Sequence, residues 1–506
     1  MTDFLQRSAG HACTRERYSC SKQWAHPRVG LADGWAAACD MLWPFCQGFK
    51  RPSIAQSRAA IDTPRVPAPP AIAALRDSSA CPPPVPTPKS PDDWLAQYVE
   101  PGQTMADFLS QCPWLSRRKR KYYCGEFHGQ GSTALEKYPG GKICLLPLGD
   151  IRHGPSMEAL RKYTEAFYYG IEVCVLPPID VDVPGKSGQP VVWRDPDGST
   201  VELPHRRNGK HVQLQIDGVL LQLRSVKVQG ALMVVAVTMH ELFDGPTDLF
   251  VAGMAAGLHN VAVFSFTRYH PLMKFSPEFW WKVDPPPEQR KTSSTRSRRA
   301  VTAKANQRRA EREEEAATSA SRLMLQRCCK LLVHEVGHLL GVDHCIHFAC
   351  CMNGSGHLEE DFAQPSFLCP VCLHKVHALF GFDIADRYSA MADFFAEHGL
   401  SEDEAGARRL LQAVAGAVGG AGAAARRVRG RPAAGQSTID LTVEQLADGG
   451  VDRSGDVICL HSPVVSVQGA TAPRGDANTA REDIETMLPL AERLAKRMRM
   501  DGGAAR

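Results

Sequence analysis

Eleven consecutive residues constrain this chain more than any others: His334-Glu335-Val336-Gly337-His338-Leu339-Leu340-Gly341-Val342-Asp343-His344. Residues four apart on a helix share a face, so His334 and His338 can offer two imidazoles to one metal ion. Glu335, beside the first of them, can reach a water on that metal and act as general base. Gly341 lets the chain leave the helix through a conformation that other residues resist. His344 can then swing back as the third ligand. Three protein ligands leave one tetrahedral position of a zinc ion open for water, the pattern of a catalytic rather than a structural site. The bland account is a chance pair of core histidines. HExxH alone is met by chance often enough to be only moderate evidence, and the extended HExxHxxGxxH spacing is much more specific.

The motif needs a helix to sit on, and the flanking pattern supplies one. Leu325, Cys329, Leu332, Val336 and Leu339 recur at spacings of four and three, which predicts an amphipathic helix over residues 321–340. Upstream, residues 143–148, 171–176, 232–237 and 261–266 are apolar runs bounded by turn signals and read as strands. The run at 232–237 is continuously apolar, as expected of a strand covered on both faces. A helix is expected over 156–169 and another over 373–398. Strands alternating with helices predict an α/β (α+β) layer with a mostly parallel sheet. Residues 249–256 lie between two buried-strand candidates and are the best candidate for a sheet edge that could take a peptide as an added strand.

The cysteines carry a second signal. Seventeen of them, an odd number scattered over 506 residues, do not make a dense disulfide framework, so most are expected as reduced thiols. Cys345 directly follows the third histidine, Cys350 lies five residues on, and Cys369-Pro370-Val371-Cys372 is a CxxC knuckle. Four thiolates at C-x4-C…C-x2-C spacing suit a closed tetrahedral zinc site. Cys351 rivals Cys350 for one of its places, and buried free thiols are the bland alternative. Met352 follows the third histidine closely, as does the methionine of the turn that floors the zinc in metzincins.

Taken together, His334 to His344, Cys345, Cys350, Met352, Cys369 and Cys372 resemble the signature of the archaemetzincin family, HExxHxxGxxHCx4CxM followed by CxxC. The text around them is similar too, at residues 353–360 and 368–375, and more weakly at 164–170 and 261–266. The resemblance covers roughly residues 96–391. It implies a metzincin-like zincin catalytic domain with a twisted sheet, a long active-site helix and a small zinc-clipped C-terminal subdomain. It also implies a zinc-dependent metallopeptidase acting on a peptide or protein substrate. Two zinc ions per chain are then expected, one catalytic and one structural. The rival function is a zinc-stabilised binding or regulatory protein with little or no turnover; the intact Glu335 and His344 speak against it.

Beyond that domain the chain reads differently. Residues 1–95 are expected to be a low-complexity, disordered N-terminal region, because 62–92 are rich in Pro and Ala. Residues 284–320 read as a charged, solvated insertion, partly helical through Arg/Glu contacts. Residues 392–506 are expected to be a mostly disordered tail, so both ends should be expendable. The net charge of +4 is too balanced for a nucleic-acid surface. The five basic residues from Arg117 to Lys121 would suit nuclear import, although a solvated loop is the preferred reading. The runs from Ile439 to Leu441 and from Val457 to Leu460 resemble SUMO-interacting motifs, short patterns that often recur by chance. No signal-peptide core and no 18-residue apolar run is seen, which points to an intracellular protein of the cytoplasm or nucleus that does not enter a membrane.

Overall fold

The apolar runs that read as strands meet in one sheet. In the computed structural model the residues described are 49–90, 93–115, 127–185, 188–208, 211–245, 250–257, 259–271, 303–418 and 442–443. All of these fall within one unit, Tyr18–Ile458. The central strands are β1 (Lys142–Leu148), β2 (Glu172–Val175), β3 (Ala231–Thr238), β4 (Gly253–Ala256) and β5 (Val261–Ser265). They lie side by side in the order β4-β5-β3-β1-β2. β1 pairs parallel with β2 and with β3, β5 pairs parallel with β3, and β4 alone runs antiparallel, against β5.

The side-chain period of two explains why these strands are apolar without alternation. In β1, Ile143 and Leu145 enter one core, while Cys144, Leu146 and Leu148 enter the other. In β3, Met233, Val235 and Val237 take the first side, and Val234 and Ala236 the second. A sheet buried on both faces has no polar face to show. Residues 249–256, read as an edge, do contain the marginal strand β4, yet its Gly253, Met254 and Ala255 are buried.

The helices include α1 (Ile54–Ala59), α2 (Pro70–Asp77), α3 (Met157–Phe167), α4 (Ile216–Leu223), α5 (Ala303–Leu339), α6 (Pro370–Phe380), α7 (Ile384–Glu397) and α8 (Ser401–Val418). α3 connects β1 to β2 and packs its Leu160, Tyr163 and Phe167 into the first core, with α5 to α8. α4 fills the second core through Ile216, Val219, Leu220 and Leu223. No described helix is long and apolar enough to cross a membrane.

Four sequence expectations need correction here. The helix carrying the histidine motif begins at Ala303, not at 321, so part of the expected insertion is continuous with it. The reason is composition: residues 303–320 hold strong helix formers and no Gly or Pro. The single helix expected over 373–398 is two helices. α6 closes on Gly381 in the left-handed conformation, and Asp383 caps α7 by accepting from the amides of Ala385 and Asp386. The disordered N-terminal region is folded from residue 49 onward wherever described, and the tail expected from 392 is helical to Val418. These last two errors share a cause. α2 and α8 pack against each other, and Ile72, Leu75, Ala407 and Val414 are each buried at that contact or beside it. Each segment looks unable to fold alone because its apolar partner lies over 300 residues away. The runs at 117–121, 439–441 and 457–460 and residues 284–302 lie outside the described residues.

The truncation expected to be harmless is therefore expected to fail. Removing residues 1–90 and 400–506 takes away the buried Ile61, Ile72, Leu75 and Val414. Each such side chain contributes about 1.5–3 kcal/mol, and a domain's whole stability is only about 5–15 kcal/mol. Circular dichroism melting of chain 91–399 should show no cooperative transition where chain 49–418 keeps one. A cooperative melt of 91–399 near the parental temperature would show that the contact between α2 and α8 is dispensable.

Candidate metal centre

The last turns of α5 carry His334, Glu335 and His338 into the interior, all three buried. Gly341 then adopts φ +88°, which ends the helix and turns the chain back. A Cβ at Gly341 would also lie 2.7 Å from Pro113. That reversal brings His344 to the other two histidines, and one ring nitrogen from each lies within 4.8 Å of the others. The ring centroids are 4.7, 4.8 and 5.5 Å apart.

Each imidazole is aimed by an oxygen at its Nδ1. His334 Nδ1 lies 2.7 Å from the Cys351 carbonyl, His338 Nδ1 2.8 Å from the Val342 carbonyl, and His344 Nδ1 2.9 Å from the Glu100 carboxylate. Oxygen accepts, so Nδ1 must carry the proton and Nε2 the lone pair. The Nε2 atoms of His334 and His338 face each other at 2.9 Å. Two lone pairs at that distance repel unless a cation lies between them, so the three imidazoles fit a zinc ion in donor type, tautomer and convergence. Burial, then the neighbouring His334 and His344, hold the His338 pKa well below its ordinary value, which keeps it in the neutral, ligating form.

Glu335 is buried, and among the described residues neither carboxylate oxygen has a hydrogen-bond partner. Burial pushes its pKa up to about 8, with the His334 ring opposing and Asp361 adding to the rise. An unpaired buried carboxylate is costly to keep. Met352 packs closely against the helix: a Cβ at Gly337 would come within 2.7 Å of its sulfur. The Cys350-Cys351-Met352 turn thus both floors the site and, through the Cys351 carbonyl, orients the first histidine.

The four cysteines singled out by spacing also converge. Cys345, Cys350, Cys369 and Cys372 are all buried, with their sulfurs within 4.8 Å of one another. Contacts from Cys350, Cys369 and Cys372 hold the Cys345 thiol well below its ordinary pKa. Cys350, not Cys351, joins this group; Cys351 Sγ lies 4.0 Å from the Lys330 carbonyl on α5. Asn353 fixes the loop between the two centres: its amide donates to the Cys345 and Phe348 carbonyls, and its oxygen accepts from the Cys350 amide. Among the described residues the cysteines are free thiols.

Sequence reasoning passed over one side of the site. Trp94, Glu100 and Gln103 come from the segment taken as the end of the disordered region and its border. Gln103 accepts from the Asp343 amide and donates to the Gly341 carbonyl, which ties down the turn before His344. His357 sits with Asp93 and Glu360 in a third group of metal-ligand spacing. Its atoms are engaged within the protein: His357 Nε2 lies 3.0 Å from Asp93, and the Glu360 carboxylate accepts from the Trp94 and Gly356 amides. The available signal was a tryptophan between acidic residues in a Pro-rich stretch, too slight to point across 244 positions.

Comparison with known proteins places the motif. Peptidase family M54 matches residues 310–378. Archaemetzincin-2 of Homo sapiens is 29% identical over 323 residues, 63% of this chain and 75% of its own length. Archaemetzincin-1 of Mus musculus is 29% identical over 306 residues, 59% of this chain and 55% of its own length. Among solved structures, the archaemetzincin of Archaeoglobus fulgidus is 22% identical, covers 46% of this chain and 99% of that one, and has a TM-score of 0.27.

Proposed function

We propose that this chain, similar to the archaemetzincins and matched by peptidase family M54, is a zinc metallopeptidase that cleaves peptide bonds with Glu335 as general base and with His334, His338 and His344 holding the catalytic zinc. One observation carries this reading: three buried imidazoles bring one ring nitrogen each to within 4.8 Å of the others, with a buried carboxylate that has no hydrogen-bond partner among the described residues beside the first of them. Zinc bound there would polarise the scissile carbonyl and make water acidic enough to lose a proton near neutral pH. Glu335 accepts that proton and passes it to the leaving nitrogen. A carboxylate raised toward neutrality suits both halves of the transfer, and a cation nearby would draw its pKa back down. Met352 keeps the floor apolar, and the oxygens that accept from Nδ1 keep the three rings from rotating.

The four thiols are proposed to hold a second, structural zinc, giving two per chain. With four sulfur ligands that ion has no open position and no part in cleavage. Thiolate ligands and the free cysteines suit a reducing, intracellular setting.

The test is peptide-library cleavage read by mass spectrometry, combined with metal analysis. Chelator should abolish cleavage and added zinc should restore it. His344→Ala should lose cleavage and catalytic-site zinc affinity together, because two imidazoles remain. A His344→Ala protein that binds the catalytic metal as tightly as the parent would place the third ligand elsewhere.

A further inference from the structure

His344 differs from the other two histidines in how it is held. His334 and His338 sit on α5, and neutral backbone carbonyls of the loop after the helix aim their rings. His344 lies beyond the helix, and a carboxylate 244 residues away aims its ring: Glu100 Oε1, 2.9 Å from Nδ1. Both partners are nearly inaccessible, with side-chain exposures of 4% and 9%.

Glu100 is itself held in place. The same oxygen accepts from Trp94 Nε1 at 2.7 Å. The Trp94 ring stands edge-to-face against His344, with centroids 4.9 Å apart at 75°. Trp94 is clamped in turn by the loop after the methionine turn. Its amide donates to Glu360 Oε2 at 2.9 Å, the Gly356 amide donates to the same oxygen at 2.6 Å, and the neighbouring Asp93 takes His357 Nε2 at 3.0 Å. A Cβ on Gly354 would lie 2.3 Å from the indole, so Trp94 packs flush on that loop.

We infer that Glu100 is a positioning residue for His344, fixed by Trp94, and that it sets the tautomer, direction and donor strength of the third metal ligand. This rests on the reading of the three histidines as a zinc site. A carboxylate on Nδ1–H fixes the proton there, leaves Nε2 as the donor and makes the ring a stronger base than a carbonyl partner does. It also places one negative charge beside three neutral ligands, which favours a dication in a buried site. Outer partners of this kind typically contribute about 10–100-fold in metal affinity. The N-terminal segment is thereby part of the metal centre.

The experiment measures zinc affinity of the full-length protein by chelator competition, with the tighter thiol site left loaded. Glu100→Ala should weaken the histidine site by about 10–100-fold. Glu100→Gln, which has nearly the same shape and keeps an acceptor oxygen, should weaken it less and leave the melting temperature of the metal-free protein unchanged. Trp94→Phe, which keeps a ring but loses the Nε1–H donor, should shift affinity in the same direction. In the His344→Ala background neither Glu100 variant should weaken zinc binding further, an outcome that a general loss of structure would not give. Glu100 variants with parental affinity, or with equal losses in both backgrounds, would overturn the inference while leaving the metal centre intact. Zinc binding that is indifferent to His344 in the parent would remove the metal centre itself.

Discussion

Glu335→Gln is expected to lower peptide cleavage by about 10²–10⁴-fold, the usual contribution of a positioned general base, while the zinc content stays at the parental value. The two side chains have the same shape, and Glu335 contributes no atom to any of the three groups of candidate ligands among the described residues. Among the described residues nothing hydrogen-bonds its carboxylate oxygens, so the exchange breaks no hydrogen bond there. What is lost is the capacity to take a proton. A second readout follows from the same burial. The folded protein raises the carboxyl from its ordinary 4.5 to about 8, so it holds that proton more tightly than the unfolded chain does. With the folded state binding more protons, stability of the metal-free protein falls as pH rises across that window. Metal-free Glu335→Gln lacks this fall and should melt above metal-free parent at pH 8, with the gap closing toward pH 4.5. Cleavage by the variant at the parental rate would remove Glu335 from the mechanism.

That prediction could be framed from sequence because the motif is local. His334, Glu335 and His338 need only a helix, and His344 needs only the turn that Gly341 permits. The central sheet was legible for a similar reason, since strands buried on both faces must be apolar at every position. The thiol cluster was legible as spacing, but the choice between Cys350 and Cys351 was not. Adjacent residues leave the turn on opposite sides, and only the fold shows that Cys351 faces α5. Local composition misled where partners are remote. Residues 70–77 read as part of a Pro/Ala-rich coil, yet Ile72 and Leu75 are fully buried against helices α6 and α8. Glu100 and Trp94 were illegible because nothing near them in sequence says that a histidine ring stands above them. The same remoteness makes the N-terminal segment part of the structure around the candidate ligands: His374 Nδ1 meets the Ile61 carbonyl, Lys375 donates to the Gln103 carbonyl, and Ser57 donates to the His347 carbonyl.

Cys369→Ser is expected to reduce the metal content from about two zinc ions per chain to about one and to lower the melting temperature sharply. Cys369 precedes α6 as its N-cap residue, its amide points at Cys350 Sγ at 3.2 Å, and its own sulfur lies 3.6 Å from Cys345. A metal held by these four sulfurs would tie the loop after the active-site helix to the start of α6. Cys345 is joined to His344 along the chain, and its amide donates to the Met352 carbonyl at 2.7 Å. Losing a thiolate should therefore loosen the third histidine and the methionine floor together, so cleavage falls even though no catalytic group is altered. Structural zinc contributes on the order of 10 kcal/mol in the smallest zinc domains, comparable to the whole stability of a domain, about 5–15 kcal/mol. The four thiols cannot all be ionised without the ion: contacts from its neighbours favour the thiolate at Cys345, while Cys369 is raised by burial and Cys372 mainly by Cys345. Zinc loading should accordingly release protons, and the thiol site should weaken as pH falls. Cys351→Ala is the control, since it alters a buried thiol at the same turn but leaves the four-sulfur group whole. It should keep two zinc ions. A parent protein that carries one zinc, with Cys369→Ser unchanged in metal content and melting temperature, would show that the four sulfurs are only a buried thiol cluster.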